Sequence, residues 1–178
     1  MTATSKLPID SCHLIETLDL IKQASNLVNP SSGIANDFLN QYNEVLLLVE
    51  NLPVLLPEMV AELLSWRKKT YDQYFEESPL PGGDIAIKIY HMLNADFRKR
   101  FEVVIDRING IAELAIEVIG KAFLDNNCDL DAEHVESFCG DISKKLRNEI
   151  ECATTLVNYG LATSPEASQA LADRLMQA

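Results

Sequence analysis

The sequence predicts an all-α protein, an irregular up-down bundle of about six to seven helices around one long central helix. Three observations carry that prediction. First, residues 95–124 place Phe97, Phe101, Val104, Ile108, Ile111, Ala115, Val118 and Ala122 at alternating spacings of four and three, the seam of a helix that packs along its length. Ile105, Ala112, Ile116, Ile119 and Phe123 form a second stripe. Over the last turns only Glu113, Glu117 and Lys121 are charged, so that half expects neighbours on several sides. Second, helical spacing recurs before and after this segment, whereas the one strand-like alternation, Ile85, Ile87 and Ile89, has no second run to pair with. Third, apolar residues are 47% of 178, with 7 Gly and 7 Pro, which excludes disorder and allows a core without a disulfide or metal staple. One domain over 1–178 is expected, with the loop 78–83 the place for any hinge.

The elements follow in order. Asp10 or Ser11 is placed to cap a first helix carrying Leu14, Leu18, Ile21 and Val28, flanked by Ile15, Ala24 and Leu27. Asn29-Pro30 stops it, because a residue before proline is pushed out of the α region. Ser31 or Ser32 then caps a second helix whose face is Ile34, Phe38, Tyr42, Val45 and Val49 and whose other side, Gln41 included, is polar. So short a connection predicts antiparallel neighbours. Pro57 suits the first position of a third helix burying Met59, Val60, Leu63, Leu64 and Trp66. Residues 67–75 either continue it or form a separate turn. Asp84 is the expected cap of a helix over 85–93, and Asn94 or Asp96 that of the long one. Gly110 and Gly120 interrupt that helix at up to about 1 kcal/mol each relative to Ala, which predicts close approach by another backbone. A last long helix runs from Asp129 or Asp131 to Tyr159, with Val135, Phe138, Cys139, Ile142, Leu146, Ile150, Ala153, Leu156 and Val157 as its apolar stripe, a Lys145–Glu149 pair in solvent and Gly160 as stop. Ser164-Pro165-Glu166 signals a short terminal helix.

The net charge of −12 disfavours nucleic acid and anionic lipid as main partners. None of the four cysteines, Cys12, Cys128, Cys139 and Cys152, forms a CxxC pair. Cys139 and Cys152 fall in helical patterns that suit small buried thiols. Reduced cysteines, with no charged-then-apolar leader pattern, fit a cytoplasmic protein. The most apolar window, 45–64, contains Glu50, Pro53, Pro57, Glu58 and Glu62, so no membrane span is expected.

Two local patterns resemble known motifs. In DNNCDLDAEHVE, Asp125, Asn127, Asp129, Glu133 and Glu136 take positions 1, 3, 5, 9 and 12 of a twelve-residue loop between helices. That resembles an EF-hand calcium loop, with Leu130 in place of the sixth-position glycine and Ala132 at the eighth. The simpler reading is a turn whose acids cap the next helix. His91-Met92-Leu93 resembles the His-x-Leu of phosphotransfer bundles, with Asn94 and Ala95 where Lys and Gly usually follow. Neither a di-iron nor a zinc spacing of histidines is present, and no nucleophile sits in an elbow motif, so no cofactor and no enzymatic activity are expected.

Two basic clusters stand against the acidic background: Trp66-Arg67-Lys68-Lys69-Thr70-Tyr71 and Arg98-Lys99-Arg100-Phe101. The simpler reading is solvated helix faces neutralising nearby acids. The candidate ligand or partner patch is Trp66, Arg67, Lys68, Tyr71, His91, Arg98 and Arg100, converging around the Pro-Gly loop. The expected function is a non-enzymatic helical interaction or regulatory module, acting on a protein partner or on itself as a homodimer through the apolar surplus of the central helix. The alternative is a ligand-binding or His-phosphotransfer bundle.

Overall fold

The computed structural model describes residues 14–24, 26–55, 58–125 and 132–161. The chain is an all-α helical bundle, as the spacing predicts. Among the described residues there are seven α-helices and no strand: α1 (Leu14–Gln23), α2 (Asn40–Asn51), α3 (Glu58–Ser65), α4 (Tyr71–Glu76), α5 (Gly83–Met92), α6 (Ala95–Asp125) and α7 (Ala132–Tyr159). The expected caps at Asp10 or Ser11 and at Asp129 or Asp131, and the helix after Ser164, lie outside the described residues. The chain gathers into two compact units. The first takes the described parts of Met1–Phe38, Lys69–Val103 and Cys152–Ala178, and the second takes those of Leu39–Lys68 and Val104–Glu151. The Pro-Gly loop 78–83 lies inside the first.

The core of the first unit is aromatic. Tyr71 of α4 stacks on Tyr90 of α5 with ring centres 4.2 Å apart, and Phe38 meets Tyr71 at 5.0 Å and Phe101 of α6 at 6.1 Å. Such stacked and tilted ring pairs add to the stabilisation from the area they bury. Thr70 and Gln73 form a reciprocal capping box, so α4 is a separate helix and not a continuation of α3. Asp84 is not the cap of α5: Gly82 holds that place at φ 88°, a left-handed conformation that suits glycine. The run Ile85, Ile87, Ile89 is helical, with Ala86, Ile89 and Tyr90 buried. Against α5 lies α1, tied by Lys88 to Glu16 at 2.7 Å and by Thr17 to the Met92 sulfur at 3.9 Å. Ile15, expected beside the buried face, is 79% exposed.

Helix α1 stops at Gln23, and α2 starts only at Asn40 after a 3-10 turn, Asn36–Leu39. The connection is therefore not short, and the serines do not cap a helix. Residues 28–35 instead make a buried loop closed by a bridge between Val28 and Ala35. The Asn29 side chain accepts from Ser31 N at 2.9 Å, and the Ser32 hydroxyl from Ile34 N at 3.1 Å. Ala35 N donates to the Tyr71 hydroxyl at 3.0 Å. Gly160, at φ 58°, ends α7 against this loop, where a Cβ would run into the Ser31 carbonyl oxygen.

In the second unit α2, α3 and the relevant parts of α6 and α7 bury Tyr42, Val45, Leu63, Ile108, Ala112, Leu146 and Ile150. Gln41, expected on the polar side, is buried, and its carbonyl accepts from the Trp66 indole at 3.1 Å. Burial holds the Tyr42 hydroxyl protonated far above its ordinary range, with Asn109 pulling the other way. Glu149 does not pair with Lys145 but accepts from Arg107 at 2.9 Å, joining α7 to α6. Arg147 pairs with Glu50 of α2. Neither interior glycine of α6 meets another backbone. A Cβ at Gly120 would approach the Leu64 side chain of α3 at 3.0 Å, and at Gly110 nothing lies within 4 Å.

Candidate functional site

Helix α6 begins because Asn94 accepts from Asp96 N at 3.0 Å and from Phe97 N at 3.2 Å, a side-chain cap on the first turn. Its seam is buried at Phe97, Phe101, Val104, Ile108 and Ala115, and its second stripe at Ile105, Ala112 and Ile119. The helix has neighbours on several sides, as expected, and one face is left open in the single chain. Leu114 is 47% exposed and Val118, a member of the predicted seam, 37%. With exposed Gly110 and Lys121 they occupy positions 110, 114, 118 and 121, one line along the helix in the second unit.

The predicted patch divides between the two units. Trp66, Arg67 and Lys68 belong to the second; Tyr71, His91, Arg98 and Arg100 belong to the first. In the second unit, Trp66, Arg67 and Lys68 line a surface cleft of about 290 Å³ together with Glu113, Ile116 and Glu117 of α6. Trp66 is 7% exposed, and its indole N–H is already satisfied by Gln41. Arg67 Nη1 donates to the carbonyls of Leu64 and Trp66, each at 2.7 Å, capping the end of α3. Lys68 Nζ lies 2.8 Å from Glu113, both half-exposed. Glu117 pairs with Lys121 one turn on; their hydrogen bond lowers the Glu117 pKa and raises that of Lys121. The acids are not in the predicted patch. Glu113 and Glu117 are visible in the sequence as a polar line on α6, but nothing local ties that line to Trp66, some fifty residues earlier.

In the first unit a different set meets. His91 Nε2 lies 2.8 Å from an Asp72 carboxylate oxygen, and Arg98 Nη1 donates to the His91 carbonyl at 3.2 Å. Arg98 Nε lies 3.6 Å from Glu102, which also accepts from the Tyr90 hydroxyl at 3.2 Å. Burial and the Glu102 carboxylate both push the Tyr90 pKa well above its ordinary value. Tyr71 is buried, its hydroxyl used by Ala35. Arg100 is exposed on α6. His91 and the 78–83 loop are not among the residues that line the cleft.

Of the calcium candidates, Asp125 closes α6 and Glu133 and Glu136 stand exposed in the first turns of α7, while Asn127 and Asp129 lie outside the described residues. Among the described residues no group of three or more His, Cys, Asp or Glu is placed to hold a metal ion. Cys139 is buried as expected, but Cys152 is exposed. No helix among the described residues is long and apolar enough to cross a membrane. No protein-family model, no curated protein and no solved structure matches the chain.

Proposed function

We propose that the protein is a non-enzymatic helical interaction module that acts as a homodimer through the open face of α6. The observation that carries the reading is Leu114 and Val118, exposed together beside Gly110. A helix that pays for an interior glycine with nothing packed on it has room there for a close neighbour. A two-fold contact needs a surface complementary to itself. The strip is flanked by Asp106 and Arg107 at one end and by Glu117 and Lys121 at the other, so each end is formally neutral and a copy turned end for end meets no net like charge there. Elsewhere a chain of charge −12 repels its copy. Light scattering over a dilution series at micromolar protein tests this. A mass of two chains that falls on dilution supports it, and one chain at all concentrations overturns it.

A second reading, that of a ligand-binding bundle, is favoured by the cleft at Trp66. Its phosphotransfer form is less well supported. The His91 ring is held against the Asp72 carboxylate, and a phosphoryl group arriving there would meet like charge.

A further inference from the structure

The cleft of the second unit has a lining of three chemical kinds. Arg67 and Lys68 bring two cations from the segment that follows α3. Glu113 and Glu117 bring two carboxylates, one turn apart on α6. Trp66 and Ile116 are aromatic and branched aliphatic; the Trp66 N–H is spent on Gln41 and the indole is 7% exposed, so what it presents to the cleft is a small apolar edge beside the half-buried Ile116. A lining of cations alone selects an anion, and a lining of carboxylates alone selects a cation. This one presents both from separate elements, with an apolar remainder, in a volume of about 290 Å³. That lies at the small end of the roughly 300–1,000 Å³ of ligand sites.

We infer that the cleft binds a zwitterion with an apolar side chain, the chemical class of free branched-chain and aromatic α-amino acids. The ligand carboxylate lies on Arg67 and Lys68, its ammonium on Glu113 and Glu117, and its side chain on Trp66 and Ile116. This inference rests on the ligand-binding reading. The Arg67 guanidinium is oriented by the two carbonyls on Nη1, which leaves Nε and Nη2 to meet a carboxylate. The Lys68–Glu113 and Glu117–Lys121 pairs are solvent-exposed and hence weak, so a ligand can re-partner them without a buried charge being stranded.

Trp66 is the chain's only tryptophan, so tryptophan emission reports on the surroundings of this one side chain, the cleft among them. The full chain is titrated with L-leucine and L-phenylalanine, and with three leucine analogues: leucinamide, 4-methylpentanoate and N-acetyl-leucinamide. The expected result is a saturable emission change with the two amino acids and binding about tenfold weaker or worse for each analogue. Glu113→Gln combined with Glu117→Gln weakens leucine about tenfold and leaves 4-methylpentanoate unaffected, with the circular dichroism unchanged. If N-acetyl-leucinamide binds as well as leucine, the cleft binds ligands but the zwitterion assignment is overturned. If no probe gives a saturable change, the assignment and the ligand-binding reading fall together.

Discussion

At the scale of single residues, two glycines, one read as a helix stop and one as a helix interruption, have opposite roles. Gly160 is left-handed and lies against the Ser31 carbonyl, so Gly160→Ala is expected to cost about 1–3 kcal/mol through backbone strain, and more through the collision. Gly110 has ordinary helical geometry and open space, so Gly110→Ala is expected to stabilise the dilute chain by about 0.5–1 kcal/mol. Urea unfolding of both variants at the lowest workable concentration checks the two signs. The cysteines offer a second contrast. Burial pushes the Cys139 thiol from near 9 to about 11, whereas Cys152 faces solvent. A raised thiol pKa stabilises the fold fully below the unfolded value near 9, and that contribution is lost as pH climbs through 11. Iodoacetamide at pH 8, read by peptide mass spectrometry, is expected to label Cys152 within minutes and Cys139 only after unfolding; equal labelling would contradict the burial. The cysteine contrast is not visible in sequence, since which face of α7 meets a neighbour depends on the other helices.

Individual elements were legible in proportion to how much of their information is local. Helix α6 is read to within a residue because a thirty-residue apolar period and an Asn cap are both written in its own segment. Asn94→Ala is accordingly expected to lower stability by about 1 kcal/mol, with Asn94→Asp restoring most of it, as thermal melts would show; no change would mean that the helix start is fixed by packing alone. The segment 26–39 is not legible locally because its determinants are distant. Ser31 and Ser32 have the chemistry of helix caps, but the Tyr71 hydroxyl, the Asn158 side chain and Gly160 hold the chain in a loop. Asn29 Nδ2 reaches Asn158 at 3.4 Å across 129 positions, a contact no local rule encodes. Asp84 lost the cap of α5 to Gly82 for a related reason: Gly83 lies so near the Phe75 carbonyl that a Cβ there would come within 2.9 Å of it, so the helix starts in the glycine pair.

For the molecule as a whole, the candidate site was half legible. Composition pointed to Trp66, Arg67 and Lys68 as an aromatic-basic cluster, and they do line a cleft. The acids that complete it, and the assignment of His91 and Arg98 to another unit, depend on tertiary pairing. The surplus apolar surface of α6 is legible in the sequence as far as its half, 108–124, but not its face, because Val118 fits the buried seam by spacing and differs only in what fails to cover it. The account rests on that face being covered by a second copy. Sedimentation equilibrium of the wild-type chain beside Leu114→Asp and Val118→Asp is the most direct test. Both substitutions stand on exposed positions, so the fold is expected to survive them, while a charge in an apolar contact is expected to weaken pairing at least about tenfold. Twice the 19.8 kDa chain mass is expected for the wild type and the single-chain mass for both variants. A single-chain mass for all three, or an unaltered dimer in the variants, would contradict it.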